Sequence, residues 1–312
     1  GRATRGAALA LRARLLLYAA SELFNPRNES IYKDWESSTT GEPLMPLAYD
    51  NSKWEKAAEA ARLVIDLPEF SLVKVMDGDG NIDPYQSLYQ VYTTLWNSEI
   101  IFGRIFSDEA WYKRITPRVM LNCWGGYNPT QEQVDAFAMA NGRYPIRSYK
   151  GGDHLEPEID PESGYSETGM TAGYLHPFDK VKQDTYNMYV GREPRFYNTI
   201  TWNGMKLPYA TVGSKVTQTK DVQFYYGGNS GGPSGDRSIT GYSVRKMYNS
   251  SNNSDQGLWV KPMVWPMIRL AEIYLDYTEA LIEAGDLSNP DLLTYWNMVR
   301  ARAGVPAIQE VY

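Results

Sequence analysis

Side chains of the kinds that do chemistry gather in a few stretches of this 312-residue chain. The run GGDHLEPEIDPESG brings together Asp153, Glu156, Glu158, Asp160 and Glu162, and paired carboxylates can serve as acid and base on a glycoside. That role needs an apolar setting that raises one carboxyl above another, and this run is polar throughout, so it reads as a solvated loop. In MDGDGNIDPY, Asp77, Asp79, Asn81 and Asp83 alternate as in a calcium loop. Ile82 and Leu88 stand where an EF-hand needs glycine and glutamate, which favours a plain acidic turn. His154 and His176 share no metal-ligand spacing. The glycine run Gly227 to Gly235 lacks the Gly-Lys-Ser/Thr ending of a phosphate loop and reads as a flexible loop. The remaining stretch, DEAWYKRITPRVMLNCWGGY, sets Trp111, Tyr112, Trp124 and Tyr127 among Pro and Gly with no helical period. Such rings either fill a core or form a stacking platform for a ligand.

These side chains must be positioned by the elements around them, and the clearest of those lies near the C-terminus, at Trp265 to Pro306. Leu270, Tyr274, Tyr277 and Leu281 recur at helical steps opposite Arg269, Glu272, Asp276, Glu279 and Glu283. Pro266 suits the first turn of that helix and Gly285 its C-terminal cap. Asn289 caps a second helix with an apolar stripe of Leu292, Trp296, Val299 and Ala303, stopped by Gly304 and Pro306. Two such helices form a hairpin of the tetratricopeptide type, which must stack on others to bury both faces. A matching pair opens the chain. Ala8, Leu11, Leu15 and Tyr18 line a helix running to about Leu23. The next starts at Ser52, with Glu55 as its capping-box partner and Trp54, Ala57, Ala58, Ala61 and Ile65 as its buried face. The same phase argument assigns Trp54, Trp96, Trp265 and Trp296 to the core.

Between the pairs, Asn25 to Asn51 reads as a long surface loop, and Leu88 to Phe102 as apolar chain ending in a buried strand or helix end. Thr130 and Gln133 cap a short helix that buries Val134, Phe137 and Ala138, and Asn141-Gly142 closes it. Phe196 to Trp202 has a β pattern, with Asn203-Gly204 as the turn and Met205 onward as the return strand. Thr240 to Met247 is a further β-like piece.

Composition narrows the function. A formal charge of −6 and a pI near 5.2 argue against nucleic acid, whose phosphates demand a basic face. No apolar run approaches the roughly 20 residues that cross a bilayer. Cys123 is the single cysteine and cannot form an internal disulfide. Tyrosine (24) outnumbers phenylalanine (8) threefold and there are 9 tryptophans, which suits surfaces that are apolar on the face and hydrogen-bonding at the rim. Sugars present that demand.

Five blocks in order, GRATRGAALALRARLLLYAASELFN, NPTQEQVDAFAMANG, GREPRFYNTITWNG, TGYSVRK and RLAEIYLDYTEAL…NMVRARAGVP, resemble the SusD/RagB family of Bacteroidetes outer-membrane lipoproteins. The resemblance spans nearly the whole chain and implies a mainly α, tetratricopeptide-like scaffold with long loop and small β-hairpin insertions. It implies one SusD-like domain over residues 1–312, with the scaffold at 1–70 and 265–306 and a ligand-binding insertion at about 103–260. Members capture a glycan or other nutrient at the cell surface and cap a SusC-like TonB-dependent transporter. They are binding proteins and not enzymes, so neither a cofactor nor a metal is expected. The segment before the family's PTQE helix often faces ligand, which assigns Trp111, Tyr112, Trp124 and Tyr127 to the platform; Tyr165, Tyr174, Tyr225, Tyr226 and Trp259 are weaker candidates on other loops. Departures are the absence of the lipid-carrying N-terminal cysteine and early helices, of the Arg- and Glu-rich segment after AGVP, and Glu193 where the family more often has Asp. Those gaps make this a fragment of the parent protein, reaching the membrane only through an anchor outside this chain. The rival readings are a glycoside hydrolase acting through Glu156 or Glu158, a tetratricopeptide module that holds a peptide or protein, and a binder of a non-sugar nutrient.

Overall fold

The computed structural model describes residues 4–151, 156–212, 215–250, 252 and 261–312. Asp153, His154 and Trp259 therefore lie outside the described residues. In chain order the helices and strands are α1 (Arg5–Ala20), α2 (Ser52–Ile65), β1 (Val75–Met76), β2 (Ile82–Asp83), α3 (Pro84–Thr93), β3 (Ile100–Phe106), α4 (Glu109–Ile115) and α5 (Gln131–Asp135). They continue with β4 (Ile146–Lys150), β5 (Glu156–Ile159), β6 (Met170–Leu175), β7 (Lys182–Tyr186), α6 (Pro194–Thr199), β8 (Ile200–Trp202), β9 (Lys206–Val212), β10 (Lys215–Asp221) and β11 (Tyr242–Val244). Last come β12 (Met263–Arg269), α7 (Leu270–Ala284), α8 (Pro290–Ala303) and α9 (Ile308–Val311). Among the described residues the strands pair two by two: β1 with β2, β3 with β12, β4 with β5, β6 with β7, β8 with β11 and β9 with β10. The chain divides into two compact units, one of Gly1–Val73, Trp96–Arg104 and Pro266–Arg300, the other of Lys74–Leu95, Ile105–Trp265 and Ala301–Tyr312.

The first unit is built on α1, α2 and α7. The Thr4 hydroxyl starts α1 by accepting the Ala7 N–H at 3.1 Å. Its buried side is Ala7, Ala10, Ala13, Leu17 and Ala20, whereas Leu11, Leu15 and Tyr18 are 51%, 60% and 58% exposed and Ala8 also faces solvent. This reverses the face expected from the larger side chains. The reason lies in α2, whose buried residues Trp54, Ala57, Ala58, Ala60, Ala61 and Val64 also include four alanines, so the two helices meet along small side chains. Asn51 precedes α2 without a side-chain cap, and the Asp50 carboxylate accepts the Ser52 N–H at 2.9 Å in place of the expected Ser52–Glu55 box. Gly285, at φ +85°, ends α7, and Asn289 Oδ1 accepts the Asp291 N–H at 3.1 Å as α8 begins. Arg14 pairs with Glu272, Arg27 with Glu283 and Arg62 with Asp291, tying the helices at their edges. The helix expected from Pro266 starts only at Leu270, because Trp265 to Arg269 belongs to β12. With no helical phase to bury it, Trp265 is 44% exposed, and Trp96, in a bend at φ +72°, is 48% exposed. Both leave the core to which the sequence assigned them, while Trp54 stays there and Trp296 packs against it.

The second unit has an aromatic core that includes Tyr85, Tyr112, Tyr189, Phe196, Tyr197, Trp202 and Tyr242. Pro194 opens α6, so Phe196 to Thr199 is helical and only Ile200–Trp202 is strand. That strand pairs with β11 in the register Trp202↔Tyr242 and Ile200↔Val244, while β9 pairs with β10. The hairpin expected across Asn203-Gly204 is thus replaced by two separate ladders. Gly304, at φ +72°, sits where an added Cβ would meet Pro84 Cγ at 2.6 Å and Pro194 Cγ at 2.8 Å. Among the described residues no helix is long and apolar enough to cross a membrane.

Candidate functional site

The Asp108 carboxylate starts α4 by accepting the Trp111 N–H at 3.0 Å. Adjacent helix residues point about 100° apart, so Trp111 and Tyr112 part company. Tyr112 is fully buried, stacked on Tyr248 at 6.0 Å, with its hydroxyl donating to the Asn249 carbonyl at 3.3 Å. Burial pushes its pKa up. Tyr112 is a core residue, which corrects its assignment to the platform. Trp111 is half-buried in a ring cluster, 5.4 Å from Phe106 and 5.7 Å from Trp265, all edge to face.

Beyond α4 the chain folds back on the end of that helix. The N–H groups of Trp124 and Gly125 both donate to the Lys113 carbonyl, at 2.8 and 3.3 Å, and that of Tyr127 to the Arg114 carbonyl at 3.0 Å. Gly125 takes φ +62°, which a glycine adopts without steric cost. Asn128 then ties the segment down: its Nδ2 donates to the carbonyls of Gly125 and Tyr242, each at 2.9 Å, and its Oδ1 accepts the Ile239 N–H at 3.2 Å. The Tyr127 carbonyl accepts the Val244 N–H at 3.2 Å. Trp124 is left half-buried and Tyr127 42% exposed. Arg114 Cζ stands 5.6 Å from the Trp124 ring and 5.9 Å from the Tyr127 ring, and Lys113 Nζ stands 5.5 Å from Trp124. Two rings on a hydrogen-bonded segment, with Arg114 and Lys113 lying over them, offer their remaining faces for stacking on a flat apolar surface and cationic N–H groups for bonding polar groups beside it. The sequence marked the rings but missed the cations, although Lys113-Arg114 lies in the same aromatic stretch.

The glycine run is fastened and not flexible. Arg118 donates to the carbonyls of Gly228 and Gly231 at 3.2 and 3.4 Å, and the Val119 N–H donates to Ser230 Oγ at 3.0 Å. A Cβ on Gly231 would lie 2.0 Å from the Tyr225 carbonyl oxygen, so glycine is required by backbone meeting backbone. Tyr225 and Tyr226 stand out from this loop, 55% and 82% exposed. Tyr165 is buried, and Tyr174 spends its hydroxyl on that of Tyr197 at 2.9 Å.

The other chemical candidates are occupied in holding structure. Ser148 hydrogen-bonds the Glu158 carboxylate and holds it below the usual carboxylate range, the opposite of what a general acid needs. Asp77 Oδ1 accepts the N–H groups of Asp79 and Asn81, at 3.0 and 2.8 Å, and Asp83 caps α3, so the alternating acids make a turn and a helix start. Among the described residues no three His, Cys, Asp or Glu side chains are grouped to hold a metal. His176 is buried, stacked on Trp202 at 5.7 Å, and its Nδ1 accepts the N–H groups of Phe178 and Asp179 at 3.3 and 3.0 Å. Burial pushes its pKa down to about 4, so the ring is neutral. Beside it Asp179 pairs with Arg245 at 2.9 Å and accepts the Tyr85 hydroxyl at 3.2 Å. Arg192 of the GREPRF motif donates to the carbonyls of Val134, Phe137 and Met188. Glu193 accepts the Ala138 N–H at 2.8 Å, so this motif fastens the chain around α5.

The chain belongs to the SusD family, whose model matches residues 76–311. Among solved structures it is similar to BT4246, at 25% identity and a TM-score of 0.71, over 99% of this chain and 55% of that one. A SusD-like protein from Bacteroides fragilis is 24% identical with a TM-score of 0.63, matched over 99% of this chain and 48% of its own. A SusD-like carbohydrate binding protein from the same species is 18% identical with a TM-score of 0.52, over 96% and 51%. The chain thus spans about half the length of the solved relatives it matches. No curated protein matches it significantly.

Proposed function

We propose that this chain is the ligand-binding part of a surface glycan-capture protein, a binder and not an enzyme. It holds an oligosaccharide or polysaccharide at the cell outer membrane, where the parent protein is lipid-anchored, and passes it to a SusC-like TonB-dependent transporter. The observation that carries this reading is the Trp124–Tyr127 surface, two rings held by backbone hydrogen bonds with Arg114 beside both. Membership of the SusD family supports it, as does the likeness to a relative described as carbohydrate binding. We take α1, α2, α7 and α8 as the tetratricopeptide-like scaffold, and Trp111 as a further ligand contact. The mechanism is physical: sugar C–H faces stack on the rings while side chains at the rim satisfy hydroxyls.

Affinity electrophoresis of this chain and of its full-length parent against a polysaccharide panel tests the proposal, with Trp124→Ala, Tyr127→Ala beside wild type. Retardation by one glycan class that the double variant loses, with no reducing sugar released, is the expected outcome. Retention of binding by the variant would return both rings to a structural role.

A further inference from the structure

We propose that the Trp124–Tyr127 surface selects acidic glycans, with Arg114 binding the carboxylate of a uronic acid; this rests on the glycan-binding reading above. The first observation is a local reversal of charge. The chain carries a formal charge of −6, yet Ala110 to Thr130 holds Lys113, Arg114 and Arg118 and no carboxylate. The second is how those three cations are used. Lys113 pairs with Glu109 at 2.6 Å, and Arg118 is taken by the Gly228 and Gly231 carbonyls. Arg114 is exposed, lies beside the Trp124 and Tyr127 rings, and has no carboxylate partner among the described residues. Its own carbonyl is bonded by the Tyr127 N–H, so the backbone from which the guanidinium projects is fixed relative to the ring.

A neutral sugar can use such a group only through single hydrogen bonds from its N–H donors to hydroxyl oxygens, which leave the charge uncompensated. A uronate carboxylate reverses this, because the planar guanidinium presents paired N–H donors that match its two oxygens. Stacking places the sugar ring on a free part of the Trp124 or Tyr127 face, and a carboxylate on C5 of that ring then projects from the sugar edge, within reach of the long exposed side chain of Arg114, whose guanidinium lies 5.6 and 5.9 Å from the two ring centres. The net negative charge of the chain acts the other way, but it is screened beyond about 10 Å at 0.1 M salt, whereas direct contact is not.

The test uses polygalacturonate and alginate, each beside the same polymer with its carboxyls reduced to alcohols, on wild type, Arg114→Gln and Trp124→Ala. The expected result is that wild type binds an acidic polymer about tenfold more tightly than its reduced form, a difference near 1.4 kcal/mol. Arg114→Gln abolishes that preference, bringing the affinity for the acidic polymer down to no more than that for its reduced form, and Trp124→Ala weakens both. Arg114→Lys, which keeps the charge without the fork, retains only part of the preference. Equal binding of acidic and reduced polymers by wild type overturns the inference and leaves the platform standing, as does a preference that survives in Arg114→Gln. Binding of neutral panel glycans alone, lost in Trp124→Ala, likewise overturns the acidic selectivity and keeps the glycan reading. Failure to bind any glycan overturns both.

Discussion

His176 gains its place in the core by staying uncharged. Its ordinary value of 6.5 is pushed down to about 4, chiefly by burial against Trp202 and Tyr197. The unfolded chain therefore binds a proton that the folded one refuses between those values, and stability is full above pH 6.5 and falls as pH drops toward 4. A displacement of that size corresponds to about 3 kcal/mol. We expect His176→Phe, which keeps the stack on Trp202, to be less stable than wild type at pH 7 but to lose that acid-side loss, measured by urea titration at several pH values. Two glycines make a second residue-scale contrast. Gly285 and Gly304 both have φ near the left-handed region, but open space surrounds Gly285 whereas Pro84 and Pro194 crowd Gly304. Gly285→Ala should cost about 1 kcal/mol from backbone strain alone. Gly304→Ala should cost about 3 kcal/mol or more, because a clash with two rigid rings adds to the strain. Thermal denaturation of the two variants checks the order, and equal losses would show that the prolines move aside.

The helices show what periodicity conveys and where it misleads. For α7 the spacing of Leu270, Tyr274, Tyr277 and Leu281 identified the buried face, and Gly285 its end, because bulky residues there fill the core. For α1 the same rule selected the wrong face. Size is a guide to burial only where the partner leaves room, and α2 offers alanines at Ala57, Ala58, Ala60 and Ala61. Variants should follow the observed face: Ala13→Leu forces the helices apart and costs about 2 kcal/mol or more, while Leu15→Gln changes stability by less than about 0.5 kcal/mol. The reverse result, read from chemical denaturation, would restore the leucine face as the buried one. The aromatic stretch was legible as a place but not residue by residue. Nothing local distinguishes Trp111 from Tyr112, and the side each faces is set by Tyr248 and Trp265, distant in sequence. Phe196 misleads for a different reason: Pro194 is a local helix-start signal, but a period-two pattern taken from Phe196 onward passes over it and does not register a helix of six residues.

At the scale of the molecule, a half-buried aspartate and a buried histidine titrate in opposite senses in different units. Asp276 of α7 has an Oδ2 with no hydrogen-bond partner among the described residues, and burial with Glu272 and Glu279 nearby pushes its pKa up to about 7 from 3.8. Its protonated form is favoured by folding, so this contribution is present at low pH and is lost as pH rises through 7. His176 in the other unit behaves inversely. Between about pH 4 and 6.5 the opening free energies from hydrogen exchange should fall with pH for amides of the α1, α2 and α7 unit and rise for those around Trp202. Asp276→Asn should flatten the first trend without touching the second; a single common slope in both would contradict the assignment. The pinning of Trp124 to Asn128 has a consequence in time. Six backbone or side-chain hydrogen bonds hold that segment before any ligand arrives: from Trp124, Gly125, Tyr127, Ile239 and Val244 N–H, and from Asn128 to the Tyr242 carbonyl. A surface already in its bound shape captures ligands at similar rates, so in the proposed function competing glycans will differ mainly in how long they stay before release.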